Sequence, residues 1–159
     1  MDNLEELKNK AFLAPMIEIL EKMTGVQAKI METTIHNSLF PSNEIAIVIG
    51  ITGDWRGAFV ISASKDVGAE LASKFVGGLD YSQLGIYDIA ETIAEFANIV
   101  AGNAITIMEK RNENVNISPP TIVIGQGDEL RIGGFSDMLI TRFNSDLGEI
   151  VICLSVQKI

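Results

Sequence analysis

YDIAETIAEFANIVAGNAITIMEKRN, residues 87–112, carries two stripes of side chains with helical spacing. The first stripe is apolar, and its members recur at steps of three and four, the period of one buried helix face. They are Ile89, Ile93, Phe96, Val100, Ala104 and Ile107. The stretch therefore predicts a long amphipathic helix, which needs other elements of the chain to cover its apolar face.

The second stripe on this helix is polar. It contains Asp88, Glu91, Glu95, Asn98, Gly102, Thr106 and Glu109. Glu95 and Asn98 are one turn apart at its centre, and the small pair Ala101-Gly102 follows. A glycine in a helix interior costs about 1 kcal/mol relative to alanine, which is tolerable where another surface approaches closely. A merely solvated helix face has the same pattern, so the stripe alone leaves both interpretations open.

Length and charge limit the classes of function. The chain has 159 residues, which predicts one domain, or two small halves that share a core. Hydrophobic residues make up 47 %, enough for a sizeable interior. Twelve basic and 21 acidic residues give a net charge of -9. That balance argues against sequence-independent nucleic-acid binding, which requires a basic face.

Cysteine and histidine are too scarce for several kinds of site. Cys153 is the one cysteine and lies in an apolar run, so we expect a core residue in a reducing compartment. With a single histidine, His36, a zinc site is not expected. The first ten residues lack the apolar core of a signal peptide, and no apolar run reaches about 18 residues. The sequence thus predicts a cytoplasmic protein with no membrane span.

The rest of the chain predicts an α+β fold, with helices packed on an antiparallel sheet. Helices are expected over 2–24 and 65–75, the first kinked or broken by Pro15. About six strands are expected, at 26–36, 44–51, 57–63, 115–124, 137–143 and 149–156, with a short segment at 130–132. Pro119-Pro120 should lie at an edge, a bend or a strand start, since proline cannot donate to a sheet ladder. Trp55 falls in the turn of the first hairpin, where we expect it to be exposed.

The two halves of the chain resemble each other. Each reads helix, strand, hairpin, and pairing Val26 with Val115 gives an offset of 115 − 26 = 89 residues. Subtracting 89 from Glu91, Glu95 and Asn98 gives Asp2, Glu6 and Asn9. The sequence therefore predicts two pseudo-repeated halves, with a second carboxylate–carboxamide triplet on the first helix.

The spacing Glu95-x2-Asn98-x21-Pro120 resembles the signature of the CheC/CheX/FliY family of bacterial chemotaxis phosphatases. AEFANIVAGNA resembles the family's active-site helix, and VNISPPTIVIG resembles the strand that follows it. IGITGDWRGAFVIS and the FVGG segment, which ends at Gly78, resemble the CheX branch in particular. The resemblance extends over nearly the whole chain, so residues 1–159 are interpreted as a single CheX-like phosphatase domain.

This resemblance implies a substrate and a division of roles. The substrate would be the aspartyl phosphate of a phosphorylated CheY-like receiver, which carries the Mg²⁺, so the chain needs no cofactor of its own. Asn98 would position the attacking water, and Glu95 would pair with a lysine of the receiver. Glu91, Ala101 and Gly102 would contact the receiver, and Pro120 would shape the adjoining loop. The CheX branch also implies a homodimer.

Two departures from the family pattern keep other interpretations open. The family usually has Asp or Ser four residues before the glutamate, where this chain has Glu91. That difference leaves an alternative function, a non-catalytic adaptor that binds a receiver or a flagellar switch component. In the first-helix triplet of Asp2, Glu6 and Asn9, Met31 stands at the position of the proline. We interpret that triplet as a vestigial second site.

Overall fold

The computed structural model describes residues 3–36, 39–78, 85–126, 129–131 and 137–159. Its helices are α1 (Asn3–Leu7), a π-helical segment (Lys8–Leu13), α2 (Ala14–Thr24), α3 (Lys65–Phe75) and α4 (Ile86–Glu109). Its strands are β1 (Ala28–His36), β2 (Leu39–Pro41), β3 (Ile45–Gly53), β4 (Trp55–Ala63), β5 (Val115–Ile117), β6 (Thr121–Ile124), β7 (Glu129–Arg131), β8 (Met138–Ser145) and β9 (Gly148–Lys158).

Seven strands form one antiparallel sheet in the order β1-β8-β9-β4-β3-β5, with β6 also paired to β3. The long pairing of β4 with β9, from Trp55 opposite Lys158 to Ala63 opposite Ile150, lies at its centre. The predicted α+β class is confirmed, and so are the hairpins β3–β4 and β8–β9. The pairing of β2 with β7 was not predicted, because it joins two short segments far apart in the sequence.

Both faces of the sheet are buried at its centre. Consecutive residues of the central strands are apolar, and successive side chains of a strand point to opposite faces. Ile45, Ile47 and Ile49 of β3 point to the larger core, which the helices complete with Phe12, Met16 and Phe96. On the opposite face lies a smaller cluster, whose members are Ala46, Val60, Met138, Ile140, Val151 and Cys153. Burial raises the pKa of the Cys153 thiol to about 12, so the thiol stays protonated, as expected of a core cysteine.

Helix α4 follows the predicted pattern closely. Its buried side chains include Ile89, Ile93, Phe96 and Val100, and the ring of Phe96 meets Phe75 of α3 edge-on at 6.3 Å. The helix ends earlier than the expected Asn112, which has a left-handed φ of 62° just beyond the last turn. The buried side of α4 contacts α3, the π-helical segment and β3, so the polar stripe is left on the outside.

The first helix is irregular, as expected, but the irregularity precedes the proline. Residues Lys8–Leu13 are π-helical, and the backbone N–H of Ala14 donates to the carbonyl of Asn9, five residues back. Pro15 then lies in the first turn of α2, directly after the π-helical segment, and its ring nitrogen donates no hydrogen bond to the preceding turn. No helix among the described residues is long and apolar enough to cross a membrane.

Trp55 is buried, so the prediction of an exposed turn residue is wrong. Only 6 % of the residue is accessible, and it packs in the larger core at the first position of β4. The ammonium of Lys158, on the neighbouring strand, lies 5.7 Å from the centre of its ring. The turn is shorter than expected, because β3 continues to Gly53 and β4 begins only two residues later.

The sheet order supports the predicted repeat of two halves. On one side of the central β4–β9 pair lie β8 and β1, and on the other lie β3 and then β5 with β6. Each half thus places its first strand beside the hairpin of the other half. Both outer strands also carry one extra residue at matching positions. Between Ala28 and Glu32 of β1 three residues face two of β8, and between Ile117 and Thr121 three residues face two of β3. The bounding residues differ by the same offset, since 117 − 28 = 89 and 121 − 32 = 89.

Candidate active site

An open depression of about 250 Å³ lies beside α4 and is the candidate active site. It is lined by Glu91, Ala94, Glu95 and Asn98 from the helix and by Pro120 from the segment between β5 and β6. Four of these five were selected from the sequence. The structure brings them together although Pro120 is far from the helix residues in sequence.

Helix geometry explains why the polar residues share one side. Glu91 and Glu95 are four residues apart, and Asn98 is three further on, so each lies about one turn above the last. All three are exposed, whereas Ala94 and Ala97 beside them are buried. The small side chain of Ala94 leaves room for the depression between α4 and Pro120. The burial of the apolar face thus fixes the direction in which the carboxylates and the carboxamide point.

The side chains of Glu91, Glu95 and Asn98 make no hydrogen bond or ion pair within the described part of the chain. Carboxylates at this i,i+4 spacing repel each other by about 0.2–0.5 kcal/mol. The row is therefore slightly unfavourable in the free protein and would be stabilised by a cation from outside. Among the described residues, no group of three or more acidic, cysteine or histidine side chains is arranged to hold a metal ion.

The two small residues after Asn98 have different positions, and one expectation fails. Ala101 is fully buried, with 0 % of its surface accessible, so the prediction that it contacts a partner is wrong. It belongs to the apolar face because six residues after Glu95 the helix has turned well away from the stripe. Gly102 is half-buried, and a Cβ built on it would have no atom of the described chain within 4 Å. Nothing in the part of the chain that the structure describes therefore requires glycine at position 102.

Two exposed apolar side chains near the depression were not singled out from the sequence. Tyr87 is 69 % accessible and Ile99 is 39 % accessible, which is high for large apolar residues. The numbers 87, 91, 95 and 99 are each four apart, so Tyr87 and Ile99 extend the row of Glu91 and Glu95 at its two ends. This four-residue spacing is the feature of the sequence from which Tyr87 and Ile99 could have been predicted to lie beside Glu91 and Glu95. The result is a continuous ridge with an acidic centre and apolar ends.

The first-helix triplet is arranged differently. Asp2 lies outside the described residues. Glu6 pairs with Lys10 at 3.0 Å and with Arg111, just beyond α4, at 3.2 Å. Asn9 is exposed, but it lies in the π-helical segment, whose wider turn moves it away from the face of Glu6. Glu6 and Asn9 therefore do not point to one side of their helix, as Glu95 and Asn98 do.

The charge of Glu6 is already balanced within the chain. The hydrogen bond from Lys10 and the nearby Arg111 guanidinium lower the pKa of the Glu6 carboxyl from its ordinary value. Met31, at the position corresponding to Pro120, is exposed on β1. Glu95 has no such partners in the described chain, and this is the main physical difference between the two triplets.

The sequence pattern of the family described as "Chemotaxis phosphatase CheX" matches residues 45–144, well over half of the chain. The CheY-P phosphatase CheX of Thermotoga maritima is 28 % identical over 129 residues, which are 81 % of each chain.

Solved structures share the fold along nearly the whole length. A putative chemotaxis protein from Desulfovibrio vulgaris Hildenborough has a TM-score of 0.84 at 22 % identity, covering 99 % of this chain and 100 % of that one. A chain from the CheX–CheY–BeF3–Mg²⁺ complex of Borrelia burgdorferi has a TM-score of 0.76 at 19 % identity, covering 98 % and 99 %. With its sequence matched over most of the sheet and over all of α4, the chain belongs to the CheX family of chemotaxis phosphatases.

Proposed function

We propose that this chain is a phosphatase that hydrolyses the aspartyl phosphate of a CheY-like receiver. The observation that supports the proposal is the pair Glu95 and Asn98, which are exposed and have no partner among the described residues, in a depression with Pro120 on its other side. A relative that is 28 % identical bears the name CheY-P phosphatase, which supports the same activity here.

The reaction requires no covalent bond between this chain and the phosphoryl group. A water oxygen attacks phosphorus in line as the bond from phosphorus to the aspartyl oxygen breaks, giving inorganic phosphate and a free carboxylate. Phosphoryl transfer of this kind depends mainly on positioning and electrostatics. The carbonyl oxygen of the Asn98 carboxamide accepts a hydrogen bond from that water, and its NH₂ can donate towards the phosphoryl oxygens. Mg²⁺ is assigned to the receiver, which brings its own cation to the depression.

Glu95 is assigned to docking. Its carboxylate, one turn before Asn98, pairs with a lysine of the receiver through a charge-assisted hydrogen bond. Glu91, on the same row, adds a second carboxylate, and Tyr87 and Ile99 add apolar contact at the ends of the ridge. An incoming cation relieves the repulsion between the two carboxylates, so receiver binding and the stability of the row are linked.

Substitutions should separate the roles of Asn98 and Glu95. We expect Asn98→Ala to keep the fold and receiver binding but to lower the single-turnover rate by about 10²-fold or more, the scale for losing one preorganised group. Glu95→Ala should weaken binding and kcat/KM, with part of the rate recovered at high receiver concentration. Glu95→Lys should be worse, because it places like charge against the receiver's lysine. Phosphate release across a series of phosphorylated receiver concentrations measures all three.

The same assay distinguishes the phosphatase from the alternative function. An adaptor would bind a receiver or a flagellar switch component through the same ridge, and the extra carboxylate at Glu91 is the observation that favours it. If the wild-type protein binds phosphorylated receiver with Mg²⁺ but leaves the rate of phosphate release unchanged, the adaptor is correct. An Asn98→Ala variant with the wild-type rate would remove the water-positioning role in particular.

Gly102 provides a test of close approach by the receiver. Because a Cβ at this position meets nothing in the described chain, Gly102→Ala should raise the free energy of unfolding by about 0.5–1 kcal/mol. If the receiver lies against this turn, the same change should raise KM about tenfold while the protein becomes more stable. Asn103→Ala is the control, since it improves helix propensity one position away from the stripe. A Gly102→Ala variant with unchanged KM would contradict the contact.

The triplet on the first helix is proposed to be vestigial. Asn9→Ala should leave turnover within about twofold of wild type, because losing a working preorganised group costs far more. Phosphate release under saturating receiver measures this, and titration of binding sites per chain checks the number of sites. Loss of most of the activity, or of half the sites, would show instead that both helices work.

The whole chain, residues 1–159, is proposed to act as one CheX-like phosphatase domain. Support comes from the sheet, which pairs β1 near one end of the chain with β8, and from one core that draws on both halves.

A cytoplasmic location is proposed as well. The single Cys153, which is free and buried, suits a reducing compartment.

A homodimer through β1 is proposed as the assembly. This nine-residue strand is the outer member of the sheet order, and Ile30, Met31 and Ile35 on it are all exposed. An apolar edge strand is a ready template for pairing with another strand, and a second copy offers the same edge in antiparallel orientation.

Charge on that edge should disrupt the dimer. Ile35→Lys, at a side chain that is 66 % accessible, should give a folded monomer in sedimentation velocity, whereas wild type sediments as a dimer. Ile159→Lys, at a residue that is 70 % accessible and follows the last residue of β9, should remain dimeric. A monomeric wild-type protein at micromolar concentration would rule out this assembly.

A further inference from the structure

The segment that carries Pro119 and Pro120 forms a bulge against β3. Ile117 lies opposite Ile51, and Thr121 lies opposite Val48, so three residues, 118–120, face two, 49 and 50. The extra residue pushes the strand out of the regular ladder, and the two prolines have no N–H with which to rejoin it. Pro120 at the end of this bulge reaches the depression beside α4.

Ser118 fastens the bulge to β3 through two hydrogen bonds and makes a third within the bulge. Its backbone N–H donates to the carbonyl of Gly50 at 2.9 Å, and its hydroxyl oxygen accepts from the N–H of Gly50 at 2.8 Å. The hydroxyl also donates to the carbonyl of Pro119 at 3.1 Å. One residue therefore satisfies both backbone groups of Gly50 and fixes the first of the two prolines.

Gly50 fits this arrangement because it has no side chain. A Cβ at that position would lie 3.1 Å from the hydroxyl oxygen of Ser118, closer than an ordinary contact. The absence of a side chain at Gly50 thus lets the hydroxyl lie close against the strand.

We propose that Ser118 is a positioning residue for the hydrolysis, acting through the bulge on Pro120. The inference rests on the proposed function. By holding the bulge at Gly50, the hydroxyl sets the distance between the Pro120 wall and the α4 face that carries Glu95 and Asn98. This explains how Pro120 reaches α4 although it is far from Asn98 in the sequence: the bulge that contains it is hydrogen-bonded to β3.

The other half of the fold shows that the sheet can form a bulge without hydrogen bonds from a serine hydroxyl. Subtracting 89 places Lys29 at the position of Ser118 and Met31 at that of Pro120. A one-residue irregularity is still present there, between Ile30 and Glu32 on β1. A bulge at this position therefore forms without a hydroxyl. The half that has the hydroxyl is the half in which Glu95 and Asn98 have no partner among the residues that the structure describes.

The test compares variants with and without the hydroxyl. Ser118→Ala should keep the circular dichroism of the wild type, lower kcat about tenfold and leave KM for the phosphorylated receiver within twofold, because small misplacements of a catalytic wall act on the rate. Ser118→Thr, which keeps the hydroxyl, should restore most of kcat, and Ser118→Val, of the same shape without it, should not. Asn116→Ala is the control on β5, since Asn116 is exposed and its side chain has no hydrogen bond in the described chain.

Two further measurements separate positioning from general damage. The Gly50 amide should exchange with solvent at least tenfold faster in Ser118→Ala than in wild type, because it loses its acceptor. In an Asn98→Ala background, Ser118→Ala should cost little more, since groups that act as a unit are not additive. If Ser118→Ala fails to fold, the comparison of Thr with Val carries the test.

Several results would overturn the inference. They are an unchanged kcat in folded Ser118→Ala, equal rates for the Thr and Val variants, or a full additional tenfold loss on the Asn98→Ala background. Failure of the proposed function is recognised separately, because wild-type protein would then release no phosphate from the receiver. In that case the role of Ser118 in hydrolysis falls with it, whatever the exchange rate of the Gly50 amide.

Discussion

The packing of the apolar face of α4 against the sheet and α3 is the interaction on which the rest of the structure depends. Ile89, Ile93, Phe96 and Val100 are essentially fully buried. Each contributes about 1.5–3 kcal/mol of hydrophobic stabilisation. Successive residues turn by about 100°, so this burial also fixes the direction of every polar residue on the helix. The orientation of Glu95 and Asn98 is therefore set by the core.

Periodicity in the sequence predicted those parts of the fold whose contacts are local or strongly patterned. Helix α4 and the two hairpins follow from steps of three and four and from alternation. Trp55 and the pairing of β2 with β7 were missed, because both depend on residues distant in the chain. Ala101 was misplaced for a different reason. It is adjacent to Gly102 in the sequence, but a helix separates neighbours by about 100°, which carries one into the core and leaves the other near the surface.

The candidate site could be selected from the sequence only with the aid of the family spacing. A carboxylate and a carboxamide one turn apart also occur on ordinary solvated helices. What distinguishes the pair at Glu95 and Asn98 is the environment, namely Pro120 on one side and the lack of cationic partners in the described chain. The depression is shallow and open, which suits a protein substrate that brings its own metal and phosphoryl group. Pro119-Pro120 indicated a bend, and Lys10 is four residues after Glu6, but the bonds of Ser118 to Gly50 and the pair of Arg111 with Glu6 had no signal, because they join residues distant in the sequence.

The ion pairs of Glu6 have a consequence for how such a duplicated fold can change over generations. Leu7, Phe12 and Met16 of the first helical region complete the same core that α4 covers, so selection must retain that region even if it performs no chemistry. Its outward polar residues are under no such constraint. Arg111 binds Glu6 and so ties α1 to the end of α4, which makes the outward side of the first helical region a brace for the helix that carries Glu95 and Asn98.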